Sequence, residues 1–238
     1  TCSRIDRHAF TYNANGSATI TDPLGSARTY TYQDQFETAK LAGSTQPAGS
    51  GCAAAAHAIT YSSSGFVQTR TAFNGNQTQY THNARGLATQ RTEAAGTPLA
   101  RTISTNWHAY WRLPVKIAEP KKLTTYVYNG DTYNSSVVTC APTTATVPTA
   151  TGTQPIGVLC QKIEQATTDL TGSQGFSATP TGTARIHTYT YNNYGQVLTM
   201  DGPRTDLADI TTITYYPTTD PSPSKRGNPA THTNALGH

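Results

Sequence analysis

The sequence predicts an all-β protein, and three observations carry that prediction. The first is composition: 45 of the 238 residues are Thr, and 14 Tyr, 19 Gly and 14 Pro accompany a single Met. Thr and Tyr are enriched in strands, whereas Gly and Pro concentrate in turns. The second is the alternation of residue types in segments such as RTYTY, which places one set of side chains on each face of a strand. The third is a unit of about twenty residues that recurs along the chain.

The first copy of this unit runs from Tyr12 to Tyr32, in YNANGSATITDPLGSARTYTY. Gly16 follows Tyr12 after three residues and marks a tight turn, and Gly25 marks the next turn. The second strand then ends in Tyr30 and Tyr32. Because Gly has no Cβ, it supplies the positive φ that such turns need. The unit is therefore a strand, a tight turn, a strand and a slightly wider turn.

Later copies keep the same order of Tyr and Gly, although one copy has a His at the second Tyr position. A single hairpin of this size is marginal in water, so we expect neighbouring units to pair edge to edge in one continuous antiparallel sheet. The tyrosines then form cross-strand ladders that set the register. The residues that define these later copies are Tyr61, Gly65, Gly75, Tyr80, His82, Gly86, Tyr126, Tyr128, Tyr189, Tyr191 and Gly195.

The segments YTYNNYG, FTYNANG, ITYSSSG and YTHNARG, together with TDPLG and TNALG, resemble the YD repeats of the bacterial Rhs family. The Asp that commonly follows the second Tyr is here Asn13, Ser62, Asn83 or Asn192, and Asn makes the same turn without the charge. The resemblance implies stacked YD-repeat hairpins in a spiralling sheet, a segment of a hollow shell or ribbon. It also implies a C-terminal toxin as the enclosed cargo, and a bacterial protein that is secreted or on the cell surface.

We expect residues 1–238 to form a single YD-repeat region that stops in mid-repeat at TNALGH, where Gly237 is a turn and His238 opens the next strand. Between about residues 134 and 184 the repeat pattern lapses into a segment rich in Thr and Pro. Segments of that length in a compact body are usually functional or pinned in place.

The four cysteines suggest two disulfides. Cys140 and Cys160 bracket twenty residues of the Thr- and Pro-rich insertion, and in an oxidising compartment they would close that loop. A second bridge, between Cys2 and Cys52, is the weaker inference because both residues lie outside the repeat pattern.

The densest aromatic cluster is NWHAYWRLP, with Trp107, Tyr110 and Trp111. Aromatic rings on strands serve mainly as cross-strand packing partners. The same rings could stack on sugar rings, so this cluster is the candidate glycan surface.

Other classes of function lack their patterns. The net charge of +4 is spread along the chain, whereas nucleic-acid binding needs clustered basic residues. We expect no membrane span, since no apolar run of about 18 residues occurs. No nucleophile motif, metal-ligand spacing or cofactor motif stands out, so we expect no enzyme activity, no cofactor and no metal site.

Two functions remain open from sequence. The first is a structural, non-catalytic section of an Rhs-type shell that encloses or presents a toxin in interbacterial competition or toxin delivery. The second is an extracellular ribbon that acts in self-assembly, adhesion or glycan binding. Partners are accordingly the rest of the same polypeptide or further copies joined through sheet edges, a toxin cargo, or glycans.

Overall fold

The structure, a computed structural model, describes residues 7–150, 152–207 and 209–238. It confirms the all-β prediction, since twenty strands and one short 3-10 helix are the regular elements of these residues. By its contacts the chain divides into two compact units, Thr1–Ser104 and Thr105–His238.

The first unit is a succession of β-hairpins. From β2 to β8, each strand pairs antiparallel with the strand before it and the strand after it. Its strands are β1 (Ala9–Tyr12), β2 (Ala18–Thr21), β3 (Ala27–Gln35), β4 (Thr38–Gln46), β5 (Ala55–Tyr61), β6 (Val67–Thr71), β7 (Gln77–His82), β8 (Ala88–Glu93) and most of β9 (Arg101–Trp107).

The second unit continues the hairpins but carries two small sheets beside them. Its strands are β10 (Pro114–Glu119), β11 (Lys122–Tyr128), β12 (Thr132–Tyr133), β13 (Ser136–Val137), β14 (Thr146–Thr149), β15 (Gly152–Pro155), β16 (Leu159–Thr167), β17 (Pro180–Tyr191), β18 (Val197–Asp201), β19 (Thr211–Tyr215) and β20 (Pro229–Thr233), with the 3-10 helix at Gly175–Ser177. β12 pairs with β13 and β14 with β15. The other sixteen strands form one antiparallel sheet in chain order, with β16 next to β11.

The Thr- and Pro-rich insertion, predicted at about residues 134–184, lies outside the main sheet over only part of its length. The described residues of 134–158 lie outside the sheet, but β16 pairs with β11 on one side and β17 on the other. The loop between β16 and β17 is held by Asp169, whose side-chain oxygens accept the backbone N–H groups of Thr171, Gly172 and Gln174 at 3.1, 2.9 and 2.8 Å. Burial alone would favour the neutral carboxyl, but these donors hold the pKa of Asp169 below its ordinary value.

One turn geometry recurs along the chain. At Asn83, the backbone N–H donates to the carbonyl of Leu87, and the N–H of Gly86 donates to the Asn83 carbonyl. The Asn83 Oδ1 also accepts the N–H groups of Arg85 and Leu87, both at 3.0 Å. Asp22, Asn192 and Asn234 make the same pattern, which explains why Asn replaces Asp without loss of the turn. The predicted turn glycines all have φ between 73° and 84°: Gly16, Gly25, Gly65, Gly75, Gly86 and Gly195.

Few apolar side chains are fully buried. Among the described residues of the first unit, the buried apolar residues are Ile59 and Leu87. Several cross-strand pairs are polar, as in the hydroxyl–hydroxyl hydrogen bond of 2.6 Å between Thr60 and Thr69. The same pair recurs between Thr190 and Thr199 and between Thr214 and Thr231, again at 2.6 Å. Strand pairing, with only a small apolar core, holds the hairpins together.

Successive turns contact each other along the strand ends, and Gly86 tests the strength of that contact. A Cβ at Gly86 would lie 2.7 Å from the ring of Phe66, whereas a Cβ at Gly75 would meet nothing within 4 Å. Both glycines have positive φ, so both changes to Ala should cost about 1–2 kcal/mol. We expect Gly86→Ala to cost roughly 1 kcal/mol more, because Phe66 must move. Urea unfolding of the two variants measures the difference, and equal losses would show that the turns do not pack.

Candidate functional site: a tyrosine ladder and a disulfide-closed loop

The second Tyr of each repeat lies at a β-bulge. Between this residue and the one before it, the register of pairing with the following strand shifts. The extra residue of each bulge lies on the following strand, and we call the residues opposite these bulges the slot residues: Tyr32, Tyr61, His82, Tyr128, Tyr191 and Tyr215. The first Tyr of each pair, in contrast, lies in the regular ladder, with Tyr30 opposite Ser44, Tyr80 opposite Arg91, Tyr126 opposite Lys162 and Tyr189 opposite Met200.

Four slot tyrosines donate their hydroxyl to a backbone carbonyl of the preceding strand. The bonds are Tyr61 to Leu41 at 2.8 Å, Tyr128 to Pro114 at 2.9 Å, Tyr191 to Leu159 at 2.8 Å and Tyr215 to Val197 at 3.0 Å. Each of these four side chains therefore reaches the strand before it, while its backbone pairs with the strand after it.

The register around these bonds is the same in all four repeats. The residue two positions after the acceptor lies opposite the residue three positions before the slot. These pairs are Gly43 with Ala58, Lys116 with Thr125, Gln161 with Thr188, and Thr199 with Thr212. One rule therefore describes repeats with different loop lengths.

Consecutive slots are connected through the acceptor residues. Leu159 accepts the Tyr191 hydroxyl and lies opposite Tyr128, the slot before it. Val197 likewise accepts the Tyr215 hydroxyl and lies opposite Tyr191. Leu41 makes the same link between Tyr32 and Tyr61. These links form two series, Tyr32–Tyr61 in the first unit and Tyr128–Tyr191–Tyr215 in the second, and we call the two together the tyrosine ladder.

Other residues fill the slot in two repeats. His82 lies at a bulge and stacks on Phe66, with ring centroids 5.3 Å apart. Trp107 stands three residues after Ser104, which lies opposite Gln90, so Trp107 holds the slot position of its repeat. Tyr12 ends β1 without such a register shift, since it lies in regular pairing opposite Ala18, and it is 84% exposed.

The predicted Cys140–Cys160 disulfide is confirmed. Cys160 is buried on β16, and Cys140 contacts the turn after β11 and the end of β17. The Asn129 side-chain oxygen accepts the N–H of Cys140 at 3.0 Å, and the Cys140 carbonyl accepts the N–H of Tyr191 at 2.8 Å. The insertion is thus fixed beside two slot residues, Tyr128 and Tyr191.

The other predicted bridge is not described by the structure. Cys2 lies outside the described residues. Cys52 is exposed and has no disulfide partner among the residues that are described.

The three aromatic residues of the predicted glycan surface differ in their surroundings. Trp107 and Tyr110 line an open groove of about 750 Å³ together with Tyr126 and Tyr133. Trp111 instead lies over Gly157, where a Cβ would be 3.0 Å from its indole nitrogen. Tyr110 is 68% exposed.

A His–Asp pair at this groove was not predicted from sequence. His108 Nε2 lies 3.0 Å from Asp131 Oδ1, and His108 Nδ1 accepts the N–H groups of Tyr110 and Trp111, both at 3.1 Å. Since Nδ1 accepts, the ring proton is assigned to Nε2. The second Asp131 oxygen accepts the N–H of Tyr128 at 3.0 Å, so the pair fixes a slot residue. Burial, with Tyr126 and Asp131 nearby, raises the pKa of Tyr128 to about 12.

Within the described ranges, no three His, Cys, Asp or Glu side chains are grouped so that they could hold a metal ion. None of the described helices has the length and apolar character needed to span a bilayer.

Comparison with known proteins identifies the fold. No family profile and no curated protein sequence matches the chain. Solved structures do match: TcdB2-TccC3 without its hypervariable C-terminal region has a TM-score of 0.54, at 16% identity over 96% of this chain. TcdB2-TccC3-TEV has a TM-score of 0.54 at 16% identity over 97% of this chain. This chain spans 10% of the length of each of those chains, and at such identity the likeness is one of fold.

The Tyr128 hydroxyl offers a test of the ladder. Tyr128→Phe should lower the free energy of unfolding by about 1 kcal/mol at neutral pH, because the bond to Pro114 is lost. The raised pKa also means that the contribution of Tyr128 is complete below about pH 10, the unfolded value, and is lost as the pH rises through about 12. We expect a shallower alkaline decline in the variant, by no more than about 1.4 kcal/mol per pH unit, since solvent screens part of the effect.

Urea unfolding at stepped pH measures both effects. Tyr194→Phe is the matched control, because Tyr194 is an exposed turn residue. Identical profiles for Tyr128→Phe and Tyr194→Phe would contradict the assignment.

The disulfide gives a second test. Changing Cys140 and Cys160 to Ala should destabilise the protein by about 3 kcal/mol on the chain-entropy account and should open residues 141–158 to proteolysis. Cys52→Ser is the control and should leave the proteolysis of residues 141–158 unchanged, because Cys52 is exposed and lies outside the insertion. If the double variant resists protease as well as the native chain does, the disulfide does not pin the insertion.

Proposed function

We propose that this chain is a non-catalytic section of the wall of an Rhs-type YD-repeat shell. The observation that carries the proposal is the tyrosine ladder. In four repeats the slot hydroxyl bonds to the strand before it and the slot residue pairs at a bulge with the strand after it, so such a repeat is complete only between two others. An arrangement of this kind suits a continuous wall.

The comparisons support the coarse form of this proposal. The matching TcdB2-TccC3 structures are toxin-complex chains, and this chain has the extent of a tenth of one of them. A chain with the fold of a small part of such a protein is suited to a structural role in a toxin-related assembly. We propose that the rest of the repeat polypeptide is its main partner and that a toxin is the enclosed cargo.

The chemistry of the described residues favours a structural role over catalysis. The buried Asp169 accepts backbone N–H groups, and Asp131 is shared between His108 and the backbone of Tyr128. These carboxylates therefore hold loops in place. The disulfide suits an oxidising location, which agrees with a secreted or cell-surface bacterial protein that acts in interbacterial competition or toxin delivery.

Cryo-electron microscopy of the natural gene product tests the proposal. We expect a hollow particle in which the sixteen strands form part of the wall, with additional density inside. Protease treatment should leave the enclosed segment uncut. A particle without a lumen, or an enclosed segment digested as fast as the same segment expressed alone, would overturn the proposal.

A further inference from the structure

In the first unit, charged side chains are sorted between the two faces of the sheet. Directly opposite residues of paired strands share a face, and the faces alternate along each strand. From β5 to β9, one face carries the slot residues Tyr61 and His82, and we call it the slot face. Every Lys, Arg, Asp and Glu of these strands lies on the slot face: Arg70, Arg91, Glu93 and Arg101.

The opposite face carries hydroxyl and amide side chains, and we call it the threonine face. One row crosses five strands, each residue opposite the next: Thr60, Thr69, Gln79, Thr92 and Thr102. The Thr60 and Thr69 hydroxyls are 2.6 Å apart and those of Thr92 and Thr102 are 3.1 Å apart, so these side chains point to the same side. The other residues of this face on β5 to β9 are also uncharged.

The threonine face has an open depression in the first unit. Its volume is about 230 Å³, and its lining includes Thr69, Gln79, Thr81, Gln90 and Thr92. None of the residues in its lining is charged. At this point the sheet is therefore hollow on its uncharged side.

The second unit repeats this sorting at β17 to β20. The hydroxyl pair Thr190–Thr199 lies on the face opposite the slot residue Tyr191. Among the described residues of these four strands, Asp201 is the acidic or basic residue on the threonine face. Burial and a hydrogen bond with Asp209 raise the pKa of Asp201, which favours its uncharged form.

One cation interrupts the threonine face in the second unit. Lys116 on β10 lies opposite Thr125, on the side that continues through Ile163 to Ile186. Its ammonium lies 5.7 Å from the centre of the Phe176 ring, within the range of a cation–π contact. The loop between β16 and β17 therefore takes up this charge.

We propose that the threonine face lines the lumen of the shell and that its partner there is the enclosed polypeptide. This inference rests on the proposed function. A charged exterior keeps a secreted particle soluble and apart from other particles, which suits the slot face. A polypeptide cargo carries both charged and apolar groups. A wall with almost no charge and few apolar side chains offers that cargo neither ion pairs nor a hydrophobic patch, so the wall encloses the cargo without holding it.

Thiol labelling of the natural gene product tests this orientation. Gln90→Cys and Arg91→Cys are a matched pair, because the two residues are adjacent, exposed and on opposite faces. Cys2 and Cys52 are changed to Ser in both variants. We expect a polymer-bearing maleimide, too bulky to enter a closed shell, to label Arg91→Cys and to leave Gln90→Cys unlabelled. In urea both thiols should react fully, because the wall is then open.

The outcomes of the labelling separate this inference from the proposed function. Labelling at Gln90→Cys with protection at Arg91→Cys would overturn the orientation and leave the shell-wall proposal standing. Protection of both thiols would also overturn the orientation, since the slot face would not be the outer one. Labelling of both thiols in the intact particle would overturn both proposals, because neither face would then enclose a lumen.

A photoreactive residue tests the identity of the partner. With p-benzoylphenylalanine in place of Gln90, ultraviolet light should crosslink the wall to the enclosed segment, and in place of Arg91 it should not. Mass spectrometry of the crosslinked peptides identifies the segment that is reached. Crosslinks from position 90 that are absent or confined to wall peptides, or crosslinks from position 91 to the enclosed segment, would overturn the assignment of the partner.

Discussion

The bond between a slot tyrosine and the carbonyl of the preceding strand is the interaction on which the rest of the structure depends. The β-bulge places the slot side chain beside the preceding strand, and the hydroxyl then fixes the register of that strand. The carbonyls of Leu159 and Val197 each accept the hydroxyl of one slot tyrosine, and each of these residues lies opposite the slot tyrosine before it. Each bond therefore extends the series. Within each of the two series, the bonds connect successive hairpins in order.

This design requires little apolar burial. The described residues contain few buried apolar side chains, and paired Thr hydroxyls join neighbouring strands on exposed parts of the sheet. Such a sheet can leave much of its surface polar, which a wall requires and a small enzyme pocket does not. The insertion adds a local reinforcement, because the disulfide and Asn129 hold it against two turns.

Much of the fold could be predicted from sequence because turns and strand alternation are local properties. Gly65 and Gly86 mark their turns by spacing alone, and the Cys140–Cys160 pair is marked by its position in the insertion. The acceptors could not be predicted, since a backbone carbonyl such as that of Leu41 leaves no mark in the sequence. The sequence did not indicate strand β16, because its segment, LCQKIEQAT, follows a long Thr- and Pro-rich stretch and lacks the Tyr pattern. The His108–Asp131 contact spans 23 residues and has no motif.

A double-mutant cycle across two consecutive slots tests the central claim most directly. Tyr191→Phe and Tyr215→Phe should be coupled, because Val197 faces the first tyrosine and accepts the hydroxyl of the second. The account predicts a coupling free energy of about 0.5 kcal/mol or more in urea unfolding, and additive effects for the distant pair Tyr61 and Tyr215. Additive losses for Tyr191 and Tyr215 would show that the bonds are independent and that there is no connected ladder.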